Sequence, residues 1–137
     1  YGVYDLNGGA WEQVASYVGN NNSNLTTNGS SLISGASYTK EVYGVGSNDS
    51  ANNNYITAIN KYGDAIYETS SGTWNTSGDN NKQAWYGETS YFSAGNKPFF
   101  YRGGEHNSGA GSGLFAFNSN TGAGSPNESF RPVLIVK

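Results

Sequence analysis

The sequence has no cysteine and no methionine, and its single histidine is His106. Disulfides, thiolate metal sites and cysteine nucleophiles are excluded. The absence says little about compartment, because a surface protein can also do without cysteine. Charge is scarce as well: 12% of residues are charged and the net charge is −3. No basic patch is available to neutralise phosphates, so nucleic acid is not an expected partner. No apolar run approaches the roughly 20 residues of a membrane-spanning helix, and none is expected. No signal peptide is visible, and the chain starts abruptly on a strand-like Tyr1-Gly2-Val3-Tyr4, which reads as a processed or trimmed piece of something longer.

What is present is aromatic. Phe, Trp and Tyr make up 15% of the chain against 35% for all hydrophobic residues, so the core must rest on rings more than on aliphatic side chains. At 137 residues one domain is expected, large enough to bury a core without staples. The organising stretch is Phe99 to Val136. Phe99-Phe100-Tyr101-Arg102 reads as an apolar strand closed by Gly103-Gly104, and Phe130 to Val136 reads as a second. Between them, His106 to Asn127 is nearly all Gly, Asn, Ser, Ala and Thr, pinned by Leu114, Phe115 and Phe117. Such residues cannot build a core, but they can decorate a surface that a core holds in place.

Upstream, Asn7-Gly8-Gly9 signals a turn and Ala10 to Val14 alternates as a short strand with Trp11 in the core. Asp5 and Glu12 are expected as hydrogen-bonding groups of the turn and the strand edge. Gly19 to Ser37 is dominated by Asn, Ser, Thr and Gly and reads as a loop, with one turn of structure near Ser31-Leu32-Ile33. Tyr38 to Val45 reads as an edge strand anchored by Tyr38, Val42 and Tyr43. The best helix is Ser47 to Tyr62, capped by Asp49 or Asn52, with Tyr55, Ile56, Ile59 and Tyr62 at helical spacing and Gly63 at its end. Gly63 to Thr69 is extended, Ser70 to Lys82 is a second polar loop around Trp74, and Gly95-Asn96-Lys97-Pro98 is a turn. The sum is an α+β domain of short strands, long irregular loops and one clear helix.

The segments Gly2 to Glu12 (GVYDLNGGAWE), Arg102-Gly103-Gly104 and Ser129-Phe130-Arg131 resemble three motifs of the formylglycine-generating-enzyme (sulfatase-modifying-factor) family, in the same order and at similar spacing. Two features depart from that family: the substantial segment before the first motif is missing, and Asn7-Gly8-Gly9-Ala10 replaces its usual Gly-Asn-Val. Tyr1 to Val14, Gly63 to Thr69, Phe100 to Gly104 and Ser129 to Leu134 are closer still to a group of bacterial surface and pilin-like proteins. The resemblance implies a C-type-lectin-like fold, which is shared with the variable proteins of diversity-generating retroelements. Those proteins present many side chains from one lectin-like face as a ligand-binding site. Their adenine-directed mutation cannot turn an Asn codon into Lys, Gln, Glu, Met or Trp. None of these five occurs in His106 to Asn127, as would also hold for most Gly/Asn/Ser loops.

Three functions follow. The first is a non-enzymatic ligand-binding or adhesin module at the cell surface or outside the cell, taking a protein or glycan ligand on a host or other cell. Its frame would be Trp11, Phe99, Phe100, Phe115, Phe117, Phe130 and Val133. Its contact residues would be Tyr101, Glu105, His106, Asn107, Ser108, Ala110, Ala116, Asn118, Ser119, Asn120, Thr121, Ser125 and Asn127, a mix of aromatic area and adaptable hydrogen bonding like that of antibody loops. The second is an enzyme. The copper chemistry of the family needs cysteines and its iron-dependent relatives need several histidines, so the residue inventory blocks both. Paired carboxylates for glycoside cleavage would have to come from Glu88, Glu105 and Glu128. The third is a pilus or surface-filament subunit that self-assembles. No cofactor is expected, though a structural Ca²⁺, which lectin-like folds often hold through Asp, Asn and carbonyl oxygens, stays open. Asp5, Asp49, Asp64 and Asp79 are scattered, and no EF-type Ca²⁺ loop appears among them.

Overall fold

The computed structural model describes residues 9–44, 88–93 and 95–130. Strand β1 (Trp11–Val18) lies at the centre of a mixed sheet, with β2 (Glu41–Tyr43), β3 (Phe99–Arg102), β4 (Phe117–Asn120) and β5 (Glu128–Ser129) around it. The order is β2-β1-β3-β4. β1 and β3 are antiparallel, as are β3 and β4. β2 and β5 run parallel to β1, β2 beside its last residues and β5 beside its first. Helix α1 (Ser23–Ser34) follows β1. The described part is therefore α+β. The expected helix over Ser47 to Tyr62 lies outside the described residues, as does all of the expected strand Phe130 to Val136 except Phe130, which is not in a strand.

Register divides the sheet into two faces, because side chains alternate along a strand and directly paired residues share a side. Phe99 pairs with Tyr17 and Tyr101 with Gln13, and across β4 Phe99 pairs with Asn120 and Tyr101 with Asn118. These six residues share one face. The other face carries Phe100, Phe117 and Val18, with Tyr43 brought in by its pairing to Val18. Tyr43, Phe92 and Phe100 are each fully buried there, and their rings lie 5.0 to 5.2 Å apart by centroid. The aromatic core read from composition is this cluster. Edge-to-face and tilted ring pairs of this kind add about 0.5–1.5 kcal/mol each beyond the burial of area.

The first face is covered at one end by α1, whose Leu25 packs with Tyr17 and Phe99 and is flanked by Leu32, Ile33 and Val42. This corrects the reading of Gly19 to Ser37 as a loop. Its Asn, Ser, Thr and Gly are poor helix formers, but Leu25, Gly29, Leu32 and Ile33 fall on one helical face, and tertiary burial overrides propensity. The Asn22 side chain caps the helix by accepting from Asn24 N–H at 2.9 Å. At the other end the Lys40 ammonium donates to the carbonyls of Leu32 (3.0 Å) and Ile33, a cation on the negative end of the helix. Gly29 interrupts the helical dihedrals where α1 crosses Phe99. A Cβ there would lie 2.6 Å from Phe99 Cε1.

Trp11 is buried and Gly95 to Pro98 makes its turn, as expected. Four expectations are corrected. Glu12 does not sit on a strand edge. It lies on the central strand, 4% exposed, 3.7 Å from the Arg102 guanidinium. Tyr38, expected as an anchor, is 90% exposed on a 3₁₀ turn, Ser37–Thr39, that precedes β2. Leu114 and Phe130, expected to pin the loop and the frame, are largely exposed, whereas Phe117 is buried.

Candidate functional site

Two loops join the last strands, one leaving the sheet at the Arg102/Phe117 end and the other at the opposite, Phe99/Asn120 end. The β3–β4 connection spans residues 103–116 and is closed at its neck. Gly103 N–H donates to Ala116 O (2.9 Å) and Gly113 N–H to Gly103 O (3.1 Å). Inside it, Ser108 N–H and the Ser112 hydroxyl both donate to Glu105 O. A 3₁₀ turn, Gly109–Gly111, follows. Glu88 braces the loop from outside by accepting from Phe115 N–H at 3.0 Å. Gly104 has φ +81°, and a Cβ there would lie 2.7 Å from Ser112 Cα, so only glycine lets these two turns of chain meet. The β4–β5 connection spans 121–127. Asn28 of α1 donates to Thr121 O (2.8 Å), the Ser125 hydroxyl accepts from Asn127 N–H, and Asn127 O accepts from Trp11 N–H (3.0 Å).

Between the loops, on the sheet face of Gln13 and Asn120, stands Tyr101. Its ring meets Trp11 edge to face, with centroids 4.4 Å apart. The Glu128 carboxylate is held from two strands at once: Gln13 Nε2 donates to Oε2 (2.7 Å) and Asn120 Nδ2 to Oε1 (2.6 Å). Glu105 contributes a second carboxylate, whose Oε2 is buried without a hydrogen-bond partner among the described residues. Burial first, then the negative charges of Glu128 and Glu105, raise the Tyr101 pKa above its usual 10.0. The neutral phenol is thus the form this site favours.

The residues expected to make contacts separate into three sets. His106, Asn107, Ala110, Ser125 and Asn127 are exposed on the two loops. Tyr101, Glu105, Ser108, Asn118, Asn120 and Thr121 are half-buried beside them. Ala116 and Ser119 are 1% and 2% exposed and face the interior, so neither belongs to a contact surface. Ala116 closes the loop neck, and Ser119 pairs with Phe100 on the aromatic face. Three residues of the site were not foreseen as contacts: Gln13, Glu128 and Asn28. The alternation Trp11-x-Gln13 carried the signal for the first, since it puts the amide on the face of Trp11. The carboxylates Glu88, Glu105 and Glu128 each have a different setting: a loop brace, an oxygen without a partner among the described residues, and a strand-to-strand tie.

Among the described residues no helix is long and apolar enough to cross a membrane, and no three His, Asp or Glu side chains gather as a metal site would need. Comparison of the chain with protein-family models, curated proteins and solved structures finds no match.

Proposed function

We propose that this chain is a non-enzymatic ligand-binding module of the adhesin type, acting at the cell surface or outside the cell, that displays residues 101–128 on a C-type-lectin-like scaffold in the manner of a retroelement-diversified receptor. The observation that carries the reading is the self-contained build of the two loops. Their necks and turns are held by backbone hydrogen bonds and by Glu88, Asn28 and Trp11, so the outward side chains of His106, Asn107, Ala110 and Asn127 can change without unfastening the frame. Loops that carry recognition on a rigid scaffold have this division of labour.

Sequencing sibling copies of the gene with their flanking DNA tests it. Differences should fall at His106, Asn107, Ser108, Ala110, Thr121, Ser125 and Asn127, with Gly104, Ala116, Phe117 and Ser119 fixed, beside a template repeat and a reverse-transcriptase gene. Evenly spread differences without such a cassette would overturn the diversified-receptor reading. One observation favours a second reading, a filament subunit: Leu114 and Phe130 expose large apolar side chains at 64% and 75%. Sedimentation across a concentration series, comparing the chain with a Leu114→Ser/Phe130→Ser variant, separates the two. Self-association lost in the variant speaks for the subunit.

A further inference from the structure

A cleft of about 880 Å³ opens on the same sheet face, between α1 and the strand end that carries Gln13. None of its described lining residues belongs to the contact set read from the sequence. Phe99 is its buried floor, with Val14 and Leu32 beside it, and the largely exposed Phe130 stands at its margin. Gln13, Asn28 and Ser31 are its polar residues. The volume lies in the range of about 300–1,000 Å³ usual for small-molecule sites, and the composition, mostly apolar with a few polar groups, is theirs too.

The hydrogen-bond pattern fixes what these polar groups can offer. Gln13 spends an amide N–H on Glu128 and Asn28 spends one on Thr121 O. Both amides are thereby oriented: Asn28, whose second N–H turns to Asn24 Oδ1, keeps the acceptor Oδ1, and Gln13 keeps Oε1 and one N–H. Ser31 adds a hydroxyl. None of the described lining residues is charged, and Glu128 next to Gln13 repels an anion. A purely apolar ligand would strand the acceptors, at a cost of about 1–3 kcal/mol for each that is desolvated. The cleft asks for a ligand whose edge carries several O–H groups, able to donate and to accept, and whose C–H surface lies on aromatic rings.

We propose that this cleft binds an uncharged oligosaccharide, stacked on Phe130 and donating hydroxyls to Gln13 Oε1, Asn28 Oδ1 and Ser31. The inference rests on the ligand-binding reading above and adds the ligand's class and its seat. Glu128 then links the two surfaces, since it orients the Gln13 amide of the cleft while lying against Tyr101.

The test is binding of the full chain to immobilised neutral, sialylated and sulfated oligosaccharides, to peptides, and to cells with and without enzymatic removal of surface glycans. The variants are Phe130→Ala, Ser31→Lys and His106→Ala/Asn107→Ala. Both Phe130 and Ser31 are exposed, and circular dichroism should show the fold unchanged in each. Neutral oligosaccharides should bind in preference to the anionic ones. Phe130→Ala and Ser31→Lys should each weaken that binding about tenfold or more, by removing a stacking ring or placing bulk and charge in the cleft. Neutral binding that ignores both variants but is lost in His106→Ala/Asn107→Ala overturns the cleft and leaves the ligand-binding reading in place. Binding of peptides or deglycosylated cells alone likewise overturns the cleft and spares that reading. Absence of binding to oligosaccharides, peptides and cells alike overturns both.

Discussion

The Trp11 indole and the Tyr101 phenol meet edge to face at 4.4 Å between centroids, with an interplanar angle of 71°, and this contact joins the start of β1 to the end of β3. It places the phenol in partly buried surroundings between two carboxylates, and the consequences for its proton can be measured.

Tyr101 should ionise above 10.0, because burial and then Glu128 and Glu105 favour its neutral form. A proton held more tightly in the folded state gives stability that is complete below the unfolded value near 10.0 and is lost as pH rises through the folded value. The phenolate difference spectrum between the parent chain and Tyr101→Phe should show this late titration. Glu128→Gln should move it towards 10.0 without reaching it, since burial is the larger cause. A Tyr101 that titrates with the exposed tyrosines would refute the arrangement.

Glu128 should matter to stability more than an exposed carboxylate does. Glu128→Ala leaves the half-buried amides of Gln13 and Asn120 without their acceptor, and a loss of about 1–3 kcal/mol is expected in urea unfolding. Glu128→Gln should fall between, because one amide oxygen can serve only part of the pair. Equal stability of all three proteins would mean that water replaces the tie at no cost.

Gly29→Ala sets two effects against each other. Alanine restricts the unfolded chain, worth about 0.4–1 kcal/mol over glycine, yet its Cβ would press on the Phe99 ring, which costs about 1–3 kcal/mol when a core cannot yield. Net destabilisation is expected, and the double variant Gly29→Ala/Phe99→Leu should be less destabilised than the two single losses added together. A stabilised Gly29→Ala would show that α1 lifts away freely.

Lys40→Met keeps the aliphatic stem and removes the ammonium from the carbonyls of Leu32 and Ile33 and from above the Tyr17 ring, 5.9 Å from its centroid. About 1–2 kcal/mol should be lost, and the difference should shrink as salt is added. A difference that ignores salt would assign the effect to packing instead.

The parts of this molecule that could be read from its sequence are those whose signal is local. The apolar runs of β1 and β3, the edge position of β2 and the turn before Pro98 follow from alternation and turn residues. Helix α1 hid behind a polar composition, and its face of Leu25, Leu32 and Ile33 shows only when the whole window is projected on a helix. Phe130 is apolar by type, and nothing in its neighbours tells that it is left uncovered. Tyr101, Glu105 and Asn120 could be picked out as polar or amphipathic groups beside a frame. Ala116 and Ser119 could not be set apart without the register that turns them inward. Gln13 and Glu128 meet across 115 residues of sequence, and no short-range pattern carries such a pairing.

That distance has a kinetic meaning. β1 is made well before β3 and β5, yet its ladder with them and the Ser129 hydroxyl bond to Trp11 O, 118 positions away, wait for those later segments. Closing loops of this length precedes any gain from pairing, so slow folding is favoured over fast. During synthesis Trp11 and Tyr17 stay unshielded until their partners emerge, a period in which an escort chaperone or a neighbouring nascent copy could capture the central strand.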